Sequence, residues 1–220
     1  MSRNKLYLDY PLYKYLLPFA TTRTQIAGSL LDNHYNRAID LGCGNGYFLL
    51  ENKSHFGQAS GLDISALAIE EATTRAKKSR LTHIGFQRQD LNLPLRHNLR
   101  KYDLVVSLST IEYLINPHHF LKQVHGHLKP GGQLIIHTMN LAFLTRRLQL
   151  LTGRLPTFNS VPGWQGGVLH NFTWPSFKSL LEEHHFQILE ERCSGLFPPT
   201  RLWAKNLLCS DIIIKARKGR

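Results

Sequence analysis

The sequence predicts one α/β domain in three layers, a mostly parallel sheet with helices on both faces. Three observations predict it. Short apolar runs of strand length alternate with helical patterns through short connections, the arrangement of a parallel sheet. The first such run ends in a turn with three glycines, Gly42, Gly44 and Gly46, placed where open α/β sheets bind ligands. The 220 residues, 42% of them hydrophobic, suffice for one substantial core.

The elements follow in order. Residues 21–32 read as a helix with Ile26, Leu30 and Leu31 on one face and Thr21 or Thr22 as its cap. Residues 37–41 form a short strand that runs into the glycine turn, and the next helix starts at Tyr47. Residues 59–63 are a second strand, followed by a helix over 65–79 capped by Ser65. Residues 84–89 give a third strand. A fourth, over 102–108, carries Leu104, Val105 and Val106 in a row, so both of its faces are expected to be buried. Residues 117–128 are helical, Pro130-Gly131-Gly132 is a turn, and a fifth strand spans 133–138. Beyond it, 140–152 reads as helix, 153–171 as a loop with Pro156, Pro162, Gly163, Gly166 and Gly167, and 173–184 as helix. Two late strands are expected at 186–193 and 208–215. A long irregular stretch inside a compact domain is usually functional, so the acceptor side is expected at an insertion over 140–172.

Composition excludes some functions. No apolar run approaches the roughly 20 residues of a membrane span, and the first fifteen residues lack the apolar core of a secretory signal. The formal charge of +12 could attract nucleic acid, but its Lys and Arg are scattered, as in Arg75/Lys77/Lys78/Arg80 and Arg96/Arg100/Lys101. Lys215/Arg217/Lys218/Arg220 reads as a solvated tail. Nucleic acid is therefore a partner not favoured. Cys43, Cys193 and Cys209 form no CxxC pair and no metal-ligand pattern, so no metal site is expected and all three read as plain core thiols of a cytoplasmic protein.

Three motifs carry chemistry. In Asp40-Leu-Gly-Cys-Gly-Asn-Gly46 the glycines let a ligand lie against the backbone. Their G-x-G-x-G spacing is not that of a dinucleotide binder, and a carboxylate at Asp40 would repel a pyrophosphate while receiving an ammonium group. The ligand suggested is a nucleoside that bears an amino acid. Asp63, at the end of the second strand, can accept two ribose hydroxyls, or else complement the dipole of the helix after Ser65. Asp90, after the third strand, can accept an exocyclic amine with Leu91 against the ring. Each aspartate alone reads equally as a turn residue; three at successive strand ends on one sheet edge are hard to attribute to turns.

These motifs, with Gly61-Leu-Asp-Ile64, Tyr102-Asp-Leu-Val-Val-Ser-Leu108 and Leu128-Lys-Pro-Gly-Gly-Gln-Leu134, make the chain resemble the class I S-adenosylmethionine-dependent methyltransferases from about Arg37 to Thr138. The resemblance implies a Rossmann-like sheet of seven strands in order 3-2-1-4-5-7-6 with the seventh antiparallel. It implies S-adenosylmethionine as cofactor and S-adenosylhomocysteine as product. Asp40 and the glycines would serve the methionine part, Asp63 with Ile64 the ribose, and Asp90 with Leu91 the adenine; Leu108 and Ser109 would lie nearby. Residues 140–186, through Arg147, Thr152-Gly-Arg-Leu-Pro156 and Leu169-His-Asn-Phe-Thr173, look like the tail of MetW-like methyltransferases. Ser109-Thr-Ile-Glu-Tyr113 is similar to the ubiquinone O-methyltransferase type, with Tyr113 where that type has histidine.

The acceptor is expected to be a small molecule, anionic or aromatic, methylated at oxygen, nitrogen or a carboxylate. A tRNA or protein acceptor, or a regulatory partner that binds the cofactor without catalysis, are the alternatives. His170, just before the helix at Thr173, is the first candidate base, with helix capping as its plain alternative. Glu112 and Tyr113 follow the fourth strand beside the expected methyl position. Trp164 and Trp174 could line an acceptor pocket or belong to the core. Arg146, Arg147 and Arg154 could hold an anion or form a solvated face. Tyr7, Tyr10, Tyr13, Tyr15 and Phe19 are expected to fold over the cofactor as part of an N-terminal helical lid over 1–32.

Overall fold

Strands β1 (Tyr35–Leu41), β2 (Phe56–Asp63), β3 (Ile84–Arg88), β4 (Tyr102–Leu108) and β5 (Leu128–Met139) run parallel, and a two-residue hairpin, β6 (Thr157–Phe158) and β7 (Val161–Pro162), stands apart from them. Strands β8 (Phe186–Arg192) and β9 (Asp211–Lys218) complete a seven-stranded sheet ordered β3-β2-β1-β4-β5-β9-β8. Strand β9 is antiparallel to both neighbours. Counted without the small hairpin, this is the expected order with its last strand reversed. These facts come from a computed structural model, which describes residues 22–32, 34–95, 101–158, 161–162, 167–194 and 202–219. The expected lid residues Tyr7, Tyr10, Tyr13, Tyr15 and Phe19, and Trp164, lie outside the described residues.

The helices are α1 (Arg23–Gly28), α2 (Tyr47–Glu51), α3 (Ala66–Lys78), α4 (Pro117–His127), α5 (Leu144–Leu151), α6 (Trp174–Glu183) and α7 (Lys205–Leu208). Side chains satisfy the free amides at several of their starts. Thr22 and Gln25 form a capping box, Ser65 accepts from the Ala68 amide, and Asn116 accepts from the His119 amide. Each sheet face buries its own cluster. Val105, Leu134, Ile136 and Ile214 pack with Phe120, Trp174 and Phe177, while Leu104, Val106, Ile135 and Ile213 pack with Ile26, Phe48 and Leu49. Strand β4 loses its alternation because helices cover both sides.

Four expectations are corrected. Strand β5 starts at Leu128, before the Pro130-Gly131-Gly132 turn, which is absorbed as a bulge: Tyr102 pairs with Leu128, but Leu104 pairs with Gln133. The last strand begins at Asp211 because residues 205–208 form α7 instead. Lys215 is no tail residue; it is 4% exposed within β9. Cys193 and Cys209 are disulfide-bonded, with Cα atoms 5.7 Å apart, because β8 and β9 are antiparallel neighbours and the pair closes the segment between them; Cys43 alone is a free, buried thiol. Among the described residues no helix is long and apolar enough to cross a membrane.

Candidate functional site

The site lies at the carboxyl ends of β1 to β4. After β1 the chain turns sharply: the Gly42 and Cys43 amides both donate to the Leu62 carbonyl, at 2.8 and 3.0 Å. Gly42, Gly44 and Gly46 have φ of +85°, +51° and +75°, which side chains resist. At Gly42 and Gly46 the protein's own packing also demands glycine. A Cβ on Gly42 would lie 1.9 Å from Thr110 Oγ1, and one on Gly46 would lie 2.6 Å from the Phe86 ring. The glycine turn is thus wedged between the end of β4 and the side chains of β3.

Asp63 ties this turn to the next. Its Oδ2 accepts from the Gly44 amide at 2.8 Å and its Oδ1 from the Ser65 amide at 2.9 Å. Asp40, 2% exposed, has an Oδ1 that meets no hydrogen-bond donor. Burial, and then the charge of Asp63, push its carboxyl up to about 8. The same burial, with Asp40 and Asp63 close by, raises the Cys43 thiol. A buried acid with one oxygen that meets no donor, beside the glycine turn, is an arrangement that suits a cation from outside. On the next strand Asp90 is half-buried, and its Oδ1 accepts from the Asn92 amide and side chain at 2.9 and 3.0 Å. Leu91 is only 5% exposed and belongs to the core cluster; Ile64 is exposed, and its carbonyl accepts from Arg88 Nε at 3.0 Å. Asp40 and Asp63 stand near the ends of β1 and β2, and Asp90 lies two residues beyond the end of β3, the next strand in the sheet.

The end of β4 completes the edge. Ser107 Oγ donates to the Leu41 carbonyl at 3.0 Å, Leu108 is half-buried, and Ser109 adopts φ +56°, an uncommon value for a residue other than glycine. Ser109 Oγ lies 2.9 Å from Nδ1 of His137 on β5, whose Nε2 is 3.7 Å from Asp211 Oδ1 at the start of β9. Glu112 sits on the 3-10 turn Ile111–Tyr113, 1% exposed, and no hydrogen bond of normal geometry reaches its carboxyl oxygens. Burial pushes it up to about 7, tempered by its own turn's backbone, by Arg23 and by the nearby Thr138 hydroxyl. Its main-chain carbonyl accepts from the Leu169 and His170 amides at 2.8 and 3.1 Å, and His170 Nε2 lies 3.3 Å from the Ile115 carbonyl. The structure therefore brings His170, Glu112 and half-buried Tyr113 together at the end of β4. Asn140 and Phe172 pair as an isolated bridge, so the ends of the excursion between them meet.

Other candidates are placed differently. Arg146 is 9% exposed and donates to the Asn140 and Ser210 carbonyls, both at 2.7 Å, so it braces backbone and does not await an anion. Trp174 is 1% exposed, a core side chain with Lys205 over its ring. Arg147 and Arg154 are exposed; Arg147 donates to the Ala142 carbonyl. The sequence reading missed His137 and Asp211, which look like ordinary strand residues until the sheet aligns them with Ser109. It also missed His118, Glu183 and His184, whose ligand atoms lie within 4.8 Å of one another and could hold a transition-metal ion; His118 is too far from the other two in sequence to show a spacing.

Comparisons with known proteins agree with this geometry. Residues 32–180 match the model of a family described as a methyltransferase domain. The chain is 28% identical over 124 residues to the ubiquinone biosynthesis O-methyltransferase of Coxiella burnetii, covering 56% of this chain and 52% of that protein. It is 29% identical over 119 residues to the malonyl-[acyl-carrier protein] O-methyltransferase of Priestia megaterium, covering 52% and 42%. The chain thus spans about half the length of the curated relatives it matches. In fold it is similar to the N-methyltransferase NodS of Bradyrhizobium japonicum in complex with S-adenosyl-L-homocysteine, with a TM-score of 0.66 at 17% identity over 99% of this chain and 98% of that one. A similar fit, TM-score 0.66 at 20% identity over 88% and 96%, is found with an S-adenosylmethionine-dependent methyltransferase of Mesorhizobium loti.

Proposed function

The chain belongs to the methyltransferase domain family, an S-adenosylmethionine-dependent class, and from that premise we propose that it methylates a small-molecule acceptor at oxygen, nitrogen or a carboxylate. The observation that carries the reading is Asp40, a buried carboxyl without a hydrogen-bond partner on Oδ1, at the foot of the glycine turn. An amino acid's ammonium is the group such an acid lacks, so the residues present fit the cofactor. Asp40 and the turn of Gly42, Gly44 and Gly46 hold the methionine part. Asp63 is held rigid by two backbone amides and offers its remaining lone pairs to the ribose hydroxyls, with Ile64 beside it. Asp90 presents Oδ2 to the adenine amine; Leu91, being mostly core, supports the ring pocket from beneath. Leu108 and Ser109 close the edge.

Bound there, the cofactor supplies a methyl group on a positively charged sulfur. The protein's share of the work is to align the acceptor with that methyl and keep water out. The segment 167–172, docked on Glu112 and Ile115, borders the end of β4 and is the acceptor side, within the 140–172 insertion. His170 is half-exposed there and available to a substrate, whereas the Glu112 side chain is enclosed and shapes the site from below. The small-molecule reading is supported by relatives named for ubiquinone biosynthesis and for malonyl-[acyl-carrier protein], and by Lys and Arg that are scattered along the sequence.

Titration calorimetry with S-adenosylhomocysteine tests the cofactor half. Asp63→Ala should weaken binding by about 1–3 kcal/mol, since its charge-assisted bonds go and the turn loosens. Affinity unchanged in that variant would remove the ribose assignment, and no binding by the wild type would end the reading. Labelled methyl donor, offered with small-molecule extract and separately with tRNA, tests the acceptor half; label found only in tRNA would replace the small-molecule acceptor.

A further inference from the structure

Three polar side chains line up behind the end of β4: Ser109, His137 and Asp211, supplied by β4, β5 and β9. Ser109, at the edge where the cofactor is proposed to sit, and Asp211, at the other end of the line, are half-buried; His137 between them is fully buried. We propose that Ser109, His137 and Asp211 form a proton-accepting chain for the methyl acceptor, which therefore arrives as a neutral hydroxyl or amine still carrying its proton, and not as a carboxylate. This rests on the methyl-transfer reading above.

The direction of the chain follows from the partners. Nε2 of His137 has no hydrogen-bond partner and faces the Asp211 carboxylate at 3.7 Å, a charge that favours a proton on Nε2. Nδ1 then carries the lone pair and accepts the Ser109 hydroxyl at 2.9 Å. With its one proton committed inward, Ser109 shows only lone pairs to the cleft. It welcomes an X–H donor and repels a carboxylate. Ser109 holds φ +56°, and Thr110 after it packs against the glycine turn, which places the hydroxyl beside the cofactor segment.

The charged groups around the chain support this. Burial, with Arg23 and Arg146, lowers the His137 pKa against the pull of Asp211, so the imidazole is neutral and free to accept. Burial alone would raise Asp211, yet His137, Ser194 and Arg146 hold it well below the usual carboxylate range. It therefore stays an anion, ready to face an imidazolium, while Glu112 is the other acid near it. In the step itself the acceptor's X–H proton passes to Ser109 Oγ as the serine proton passes to Nδ1. The pair left on X bonds the methyl carbon, and the former carbon–sulfur pair stays on sulfur. A methylated neutral oxygen is strongly acidic, so even a weakly basic imidazole takes the proton. Ser109 is the catalytic residue here; His137 and Asp211 are positioning residues.

The test uses the full chain labelled with ¹⁵N-histidine and read by long-range ¹H–¹⁵N NMR, with and without S-adenosylhomocysteine. The expected wild-type spectrum shows neutral His137 at about pH 7 with its proton on Nε2. Ser109→Gly, which suits a positive φ, should shift Nδ1 alone; Asp211→Asn should move the proton towards Nδ1. A wild-type proton on Nδ1 would overturn the proposal, since Ser109 would then point its hydrogen outward. In parallel, labelled methyl donor is offered with pools of alcohols and phenols, of amines and of carboxylic acids. Methylation in either X–H pool, slowed about 100-fold or more in Ser109→Gly at saturating methyl donor, supports the chain. Methylation of carboxylic acids alone, or full activity in Ser109→Gly, defeats it. Failure to bind S-adenosylhomocysteine would instead sink the methyl-transfer reading, and the NMR arm would still report on the chain.

Discussion

Asp40 shows how one side chain trades stability for binding. Its carboxyl is pushed up to about 8 by burial and then by Asp63, so the cofactor-free protein holds a proton that the unfolded chain, at the usual 3.8, has already lost. The stability this proton brings is complete below the unfolded value and drains away as pH rises through about 8; Glu112, pushed up to about 7, acts in the same sense. The cofactor-free melting temperature should therefore fall between about pH 5 and 8, and Asp40→Asn should flatten that fall. Binding an ammonium needs the anion. S-adenosylhomocysteine should thus release about one proton near pH 6.5, measurable by calorimetry in buffers of different ionisation heat, and bind more tightly as pH rises to 8. A variant Asp40→Asn that still releases the proton would place the ammonium elsewhere. The motif around Asp40 was legible in the sequence because spacing and residue type are local. Its missing hydrogen bond was not, because partners are counted in space.

At the scale of elements, the glycine turn matters through what it touches. The sequence reading assigned its glycines to ligand approach, whereas the structure gives Gly42 a second reason: Thr110, from the end of β4, fills the place of its side chain. Gly42→Ala should destabilise the protein by about 2–4 kcal/mol, from the backbone at φ +85° and the collision together. Adding Thr110→Ala removes Oγ1 and Cγ2 from the collision and should recover part of that loss in chemical denaturation; no recovery would mean that the backbone term alone acts. The edges of elements were where sequence reasoning slipped. Pro130-Gly131-Gly132 has the chemistry of a turn, yet the pairing of Tyr102 with Leu128 carries β5 through it. Leu208 reads as the first residue of the last strand but ends the helix over 205–208 that precedes it.

At the scale of the whole molecule, a network between β1, β5 and β9 ties together distant parts of the chain. Lys215 on β9, 4% exposed, donates to Asp32 Oδ1 at 2.7 Å, Gln133 donates to Oδ2 at 2.7 Å, and the Tyr35 hydroxyl donates to Gln133 at 2.7 Å. Burial would raise Asp32, but the Lys215 and Gln133 bonds win and lower it. Its stabilisation is present above the unfolded value near 3.8 and is lost as pH falls through the lower folded one. Asp32→Ala should cost about 1–3 kcal/mol by stranding a buried ammonium, and Lys215→Met in the same chain should restore most of it. A double variant no more stable than Asp32→Ala alone would show that the ammonium is not what the loss exposes.

The sequence by itself determined the class of fold and the edge where the residues proposed to hold the cofactor stand, since strand periodicity, caps and the Asp40 to Gly46 motif are each written within a few neighbouring residues. Only the tertiary structure decided what lies behind that edge. Ser109, His137 and Asp211 come from three strands, Cys193 meets Cys209, and Arg146 is spent on backbone carbonyls, because strand order and register set which distant residues become neighbours. Those pairings are long-range contacts, and no local pattern in the chain encodes them.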